Sequence, residues 1–135
     1  ARLGARHEAT LDGLLASSDV VSLHVPASPE THHMIDAAAL SKMKPHCILI
    51  NTARGSVVDT DALIHALATG RIAGAGLDVF EGEPIVPPGL LGLENVVILP
   101  HLGSATLETR VEMGMRMLAN VDAHFSGQPM PDRIA

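Results

Sequence analysis

The chain has 135 residues and a formal charge of −6, with nine Lys and Arg scattered along it rather than gathered into a stripe. That balance argues against a nucleic-acid surface, and with no run of about eighteen apolar residues no membrane-spanning segment is read from it. It is the size of one domain with a real core; Phe80 and Phe125 are its only Phe, Tyr or Trp residues, so Val, Ile, Leu, Ala and Met must build that core.

The opening "ARLGARHEAT" has neither an initiator Met nor the apolar stretch of a signal peptide, and is read as the start of a fragment of something longer. Thr10 can cap a short helix bearing Leu11, Leu14 and Leu15. "DVVSLHV" (19–25) reads as a buried strand, and "PASPETHH" as a loop. Asp36 caps a helix over "AAALSKM", and "HCILIN" (46–51) is the second strand. Cys47 lies inside that run with no second cysteine to pair with, which fits a reducing, cytoplasmic compartment. Asp59 is an N-cap for "TDALIHALATG", where Leu63, Ile64 and Leu67 keep a helical spacing and Gly70 marks the end. "IAGAGLDV" (72–79) is a third strand, glycine-rich and therefore expected close to another backbone. After the proline-rich loop "EGEPIVPPGLLGLEN" comes a fourth strand, "VVILP" (96–100). A long amphipathic helix runs from about Ser104 to Phe125, and "SGQPMPDRIA" is a tail.

Strands alternate with helices, and most strands are continuous apolar runs. The pattern predicts an α/β fold, a Rossmann-like doubly wound parallel sheet covered on both faces and followed by a long C-terminal helix. In such sheets ligands sit at the carboxyl ends of the strands. The four exits "HVP" (24–26), "NTARG" (51–55), "LDVFEGEP" (77–84) and "PHLGSAT" (100–106) are therefore expected to line one crevice.

Each exit residue has a plain reading beside a chemical one. Arg54 alone is a solvated loop charge, yet its planar fork matches a carboxylate bidentately. His101 is a structural histidine, or the side chain suited to proton transfer near neutral pH. Glu83 is a surface carboxylate, or the group that holds a histidine's tautomer. Asp78 is a turn cap, or a contact at the end of an apolar strand. His7, His32, His33, His65 and His124 are read as surface residues, and His24 and His46 as satisfied structural ones. No metal site is expected, because no paired ligands at zinc spacing occur.

Four segments, "SDVVSLHVPASPETHHMID", "MKPHCILINTARGSVVDTDALIHAL", "GRIAGAGLDVFEGEP" and "NVVILPHLGSAT", together resemble the D-isomer-specific 2-hydroxyacid dehydrogenases. They look like the C-terminal half of that family's cofactor domain, in the family's order. The resemblance implies an NAD- or NADP-dependent oxidoreductase interconverting a small 2-keto acid and its D-2-hydroxy acid. Arg54 would bind the carboxylate and carbonyl, His101 would be the acid/base, and Glu83, preferred to Glu81, would orient and charge His101. Cofactor contacts are implied at Pro26, Thr31, Thr52, Ala53, Asp78, Gly103 and Ser104, with Asp78 meeting the nicotinamide carboxamide. Residues 1–104 would belong to the cofactor domain, and residues 105–135 would return the chain to a substrate domain. A homodimer is what the family implies for the full-length protein.

The departures carry information too. The family's G-x-G-x-x-G phosphate turn is nowhere in this chain, nor is the residue that chooses between a ribose hydroxyl and a 2′-phosphate. This stretch alone is accordingly expected to bind cofactor weakly or not at all. A glutamine stands at the Glu83 position in formate dehydrogenases of the superfamily, which argues against formate. The ending "GQPMPDRI" is similar to the tails of glyoxylate and hydroxypyruvate reductases. The alternative is a cofactor-sensing corepressor of the same superfamily, which keeps the triad; the lack of basic or low-complexity tails weighs against it.

Overall fold

Four short strands form one parallel sheet in the order β1-β2-β3-β4: β1 Val20–Leu23, β2 Ile48–Asn51, β3 Gly74–Leu77 and β4 Val96–Ile98. The computed structural model describes residues 4–134. The chain divides into two units, one ending at Pro100 and the other beginning at His101. The sheet and the helices α1 to α4 belong to the first.

Strand register decides where the loops emerge. Leu23 pairs with Asn51, Asn51 with Leu77 and Leu77 with Ile98, so the four carboxyl ends are level. Side chains alternate along a strand, and Val21, Leu23, Leu49, Asn51, Ala75 and Leu77 are the buried set. Gly74 in β3 faces a neighbouring backbone, as its strand's composition predicts: a Cβ there would stand 2.9 Å from the Asn95 carbonyl oxygen.

Three helices cover the buried set. In α1 (Leu11–Ser17), α2 (Ala37–Lys42) and α3 (Thr60–Ala68), the caps Thr10, Asp36 and Asp59 accept the backbone N–H of Gly13, Ala39 and Ala62. Each such cap contributes about 1 kcal/mol. Leu15 of α1, Leu40 of α2 and Leu63 and Leu67 of α3 join the strand residues in one core. Burying a leucine of this kind stabilises by about 2 kcal/mol.

The structure corrects the sequence reading in three places. The strands are shorter than expected at one or both ends. Two turns of helix were not expected: a 3-10 turn at Gly55–Val57 and α4 at Pro88–Leu91, which starts on a proline where no N–H is needed. Lastly, within the first unit the helices bury one face of the sheet. Val20, Ile48 and Val97 remain exposed at 58%, 41% and 65%, so the apolar runs alternate in burial although not in composition.

In the second unit, α5 spans Leu107–Phe125, and Thr106 caps it by accepting the N–H of Thr109. Asp132 in the tail takes one hydrogen bond from Arg116 Nε at 3.0 Å and another from Asn120 Nδ2 at 2.7 Å, folding the tail back onto the helix.

Candidate functional site

The loop carrying Arg54 is shaped from inside by Asn51. This side chain is buried, and its amide bonds two adjacent residues, two and three positions further along the chain. Oδ1 accepts the Ala53 N–H at 3.0 Å, and Nδ2 donates to the Arg54 carbonyl at 3.0 Å. The loop buries Ala53 and leaves Thr52 and Arg54 exposed. Arg54 Nη1 donates to the Ala53 carbonyl at 2.6 Å, which steers one edge of the guanidinium along the loop.

Arg54, Thr52 and Ala53 share an open cleft of ≈580 Å³ with His24, Val25, Pro26 and Ala27 from the β1 exit. Level strand ends are what bring these two loops side by side. Thr31 does not line the cleft. Its hydroxyl donates to the Pro26 carbonyl at 2.7 Å and accepts the Ser28 N–H at 2.9 Å, closing the 26–31 loop that presents Pro26. His24 pairs with the Ser22 hydroxyl at 2.9 Å.

At the β3 exit Asp78 is buried, and its backbone N–H donates to the Asn51 carbonyl at 2.9 Å. Glu83 Oε1 accepts the Phe80 N–H at 3.0 Å, so the carboxylate is held against the start of its own loop. That loop lies directly on the one carrying Arg54. Gly55 packs so closely that a Cβ would stand 2.3 Å from the Phe80 carbonyl carbon and 2.6 Å from the Glu81 nitrogen.

His33 is not the surface residue its sequence context suggests. It is half-buried in left-handed backbone (φ 50°), and its N–H donates to the Ser56 carbonyl at 2.8 Å. Its Nε2 meets Glu81 Oε1 at 2.8 Å, while Nδ1 lies 3.9 Å from Asp59. The other Glu81 oxygen accepts the Thr60 hydroxyl at 2.7 Å and the Thr60 N–H at 3.2 Å. The hydrogen bond to Glu81 raises the His33 pKa, outweighing partial desolvation, with Asp59 and Asp36 adding to it. Burial would raise the pKa of Glu81, but the hydrogen bonds from His33 and Thr60 prevail and lower it. The ligand atoms of His32, His33 and Glu81 lie within 4.8 Å of one another, a grouping that sequence spacing did not suggest. Both His33 nitrogens face carboxylates, and the pair with Glu81 is part of a hydrogen-bonded network.

His101, Gly103 and Ser104 belong to the second unit, where His101 takes a left-handed backbone conformation (φ 57°). In the first unit, sequence reasoning missed the bridging role of Asn51, the close contact of Gly55 with Phe80 and the His33–Glu81 pair. The asparagine was legible as a polar residue closing an apolar run; the pair, 48 residues apart in sequence, had no local signal.

A parallel sheet with level carboxyl ends, a cleft of small residues beside an arginine, and a buried aspartate at the next exit define a Rossmann-like dinucleotide-binding domain. The family model for the D-isomer specific 2-hydroxyacid dehydrogenase NAD binding domain matches residues 1–103, and the chain belongs to that family. It is 54% identical over 121 residues to a glyoxylate reductase of Thermococcus litoralis, covering 90% of this chain and 37% of the relative. It is likewise 54% identical over 128 residues to glyoxylate/hydroxypyruvate reductase B of Pectobacterium carotovorum subsp. carotovorum, covering 94% of this chain and 40% of that one. Among solved structures, an NADPH-dependent glyoxylate/hydroxypyruvate reductase of Sinorhizobium meliloti in complex with NADP and malonate superposes with a TM-score of 0.91 at 42% identity. That match covers 98% of this chain and 41% of the other. The chain thus spans about two fifths of the length of the relatives it matches.

Proposed function

We propose that the protein carrying this chain is an NAD(P)-dependent 2-hydroxyacid dehydrogenase that interconverts a small 2-keto acid, glyoxylate or hydroxypyruvate, and its hydroxy acid. The observation that carries this reading is Arg54, exposed at the mouth of the cleft beside Thr52, Ala53 and Pro26. A guanidinium presented from a rigid loop suits a carboxylate, to which it offers two parallel N–H donors. Small side chains along the cleft leave room for a flat ring, and the exposed Thr52 hydroxyl and buried Asp78 carboxylate suit hydroxyl and carboxamide groups. These residues fit a nicotinamide dinucleotide, which supplies the hydride when bound.

In this reading Arg54 holds the substrate carboxylate and polarises its carbonyl oxygen. His101 delivers a proton to that oxygen on reduction and recovers it on oxidation, with Glu83 as the carboxylate that orients its imidazole. Pro26, Thr52, Ala53, Asp78, Gly103 and Ser104 contact the cofactor, and Thr31 serves it indirectly, by shaping the loop that presents Pro26. The roles of His101, Gly103 and Ser104 rest on the family resemblance. Residues 1–104 form the cofactor-domain segment and 105–135 the return to a substrate domain. The full-length protein is a cytoplasmic homodimer; the family resemblance supports the dimer, the lone buried Cys47 fits a reducing compartment, and no described helix is long and apolar enough to cross a membrane.

The test is NAD(P)H oxidation by the full-length protein with a panel of 2-keto acids, comparing the wild type with Arg54→Ala. Glyoxylate or hydroxypyruvate is expected to be reduced, and the substitution to remove most of kcat/KM while cofactor affinity is kept. Equal glyoxylate reduction by the variant would show that Arg54 is not the anchor.

A further inference from the structure

Three strand exits of the first unit are tied together by something other than the residues assigned to substrate and cofactor. Beneath them lies a backbone layer. His33 N–H donates to the Ser56 carbonyl, Ile35 N–H to the Val57 carbonyl and Asp59 N–H to the Ile35 carbonyl, which joins the end of the β1-exit loop to the turn after Arg54. Above that layer runs a chain of side chains. A carboxylate has no proton to give, so the ring Nε2–H of His33 donates to Glu81 Oε1 and the Thr60 hydroxyl donates to Oε2. Glu81 is therefore gripped from both sides, by the β1-exit loop and by the first residue of α3. All three side chains are only half-buried, so an ordinary surface residue would have served if solubility were the sole requirement.

What Glu81 holds in place is specific. Its own nitrogen and the Phe80 carbonyl rest on Gly55, the residue after Arg54. Two residues further on, Glu83 returns to the Phe80 N–H. Phe80 and Glu81 are thus held at three points: Gly55 packs on the peptide between them, His33 and Thr60 grip the Glu81 side chain, and the Glu83 carboxylate accepts the Phe80 N–H.

We propose that the His33–Glu81–Thr60 chain is a positioning clamp for the keto-acid chemistry, fixing the 80–84 loop on the Arg54 loop so that the Glu83 carboxylate is presented in one place. Glu81 and His33 are positioning residues: they touch neither substrate nor cofactor and act through Glu83 and Arg54. The inference rests on the roles given to those two residues under Proposed function. A loop released from such a clamp keeps its fold but loses alignment, and a misplacement of about 1 Å is enough to cost an order of magnitude or more in rate.

The experiment uses the full-length protein with glyoxylate and NADPH or NADH. It compares Glu81→Gln, His33→Gln, the double variant and, as an independent control, Arg54→Ala. Glu81→Gln is expected to lower kcat about tenfold while cofactor affinity and the KM for glyoxylate stay within about twofold. The double variant is expected to be no slower than the slower single one, because both changes release the same device. Unchanged kcat in Glu81→Gln with Arg54→Ala impaired would overturn the clamp and leave the anchor reading standing. A parallel loss of kcat and of cofactor affinity would make the pair a plain structural tie and would also overturn it. Should Arg54→Ala be as active as the wild type, the site reading itself falls, and the clamp with it.

Discussion

Gly55 lies against the carbonyl of Phe80 so closely that a methyl group on its α-carbon would stand 2.4 Å from that oxygen. Both groups are main chain and neither can rotate away. Glycine is required here by contact, not by conformation, and the contact is what lets the loop bearing Arg54 sit flat under the loop bearing Glu83. Gly55→Ala is expected to destabilise the protein by about 1–3 kcal/mol, the cost of overpacking a tight site. Urea unfolding of wild type and variant measures it, and an unchanged midpoint would show that the two loops separate freely.

Asn51 predicts a loss of a different kind. Its amide satisfies a donor and an acceptor of the same loop while itself almost fully buried, at 1% exposure. Asn51→Ala leaves the Ala53 N–H and the Arg54 carbonyl without that partner, which costs about 1–3 kcal/mol. Asn51→Asp is expected to be worse than its near-identical shape suggests. It keeps the acceptor for Ala53 but sets a carboxylate oxygen against the Arg54 carbonyl and buries a charge. Thermal midpoints of the two variants decide the matter; an aspartate variant as stable as the wild type would mean that the loop opens to water.

How far the sequence foretells this architecture depends on how local the physics is. Thr10, Asp36 and Asp59 announce their helices because a cap acts over three residues, and all three accept the N–H that such a cap should accept. Strand exits were equally visible, since an apolar run ending in Asn51 or Asp78 marks its own terminus. The second face of the sheet is legible only in part, because composition reports which residues a sheet is able to bury, whereas Val20 and Ile48 show what the helices of the first unit leave uncovered. His33 and Glu81 escaped for the opposite reason: their pairing is created by the level strand ends, which bring together residues with no sequence relationship. Arg54 fell between the cases, legible as an exit residue but not as one whose loop is held by the asparagine beneath it.

The clamp has a pH signature. The His33 pKa is raised above its ordinary 6.5 on folding, chiefly by its hydrogen bond to Glu81, so its contribution to stability is complete below that value. It is lost as pH rises through the folded-state pKa. Glu81 is lowered from 4.5, so its contribution is present above that value and is lost as pH falls through its folded-state pKa. These are two views of one interaction, strongest between about pH 4.5 and 6.5. The stability difference between wild type and His33→Gln is expected to be largest in that window and to shrink on the alkaline side. Proton NMR of the His33 ring gives an independent reading: its titration midpoint should lie above 6.5 and move down in Glu81→Gln. A midpoint that ignores the substitution would remove Glu81 as the cause.

Arg54→Lys separates charge from shape at the cleft mouth. The guanidinium carries five N–H donors in a planar fork, and one of its nitrogens, Nη1, already donates to the Ala53 carbonyl at 2.6 Å. Its outer edge can therefore serve a carboxylate with two parallel bonds while the inner edge stays anchored to the loop. A lysine ammonium keeps the positive charge, but its three donors radiate from one atom, so anchoring on Ala53 turns it away from the ligand. Reduction of a 2-keto acid by Arg54→Lys should accordingly lose at least about tenfold in kcat/KM, since each charge-assisted hydrogen bond is worth about 1.5–3 kcal/mol. Cofactor affinity should be unchanged, because Thr52, Ala53 and Pro26 keep their places. If lysine supported wild-type kcat/KM, a point charge would be enough at this position, and the fork held by Ala53 would have no part in binding the acid.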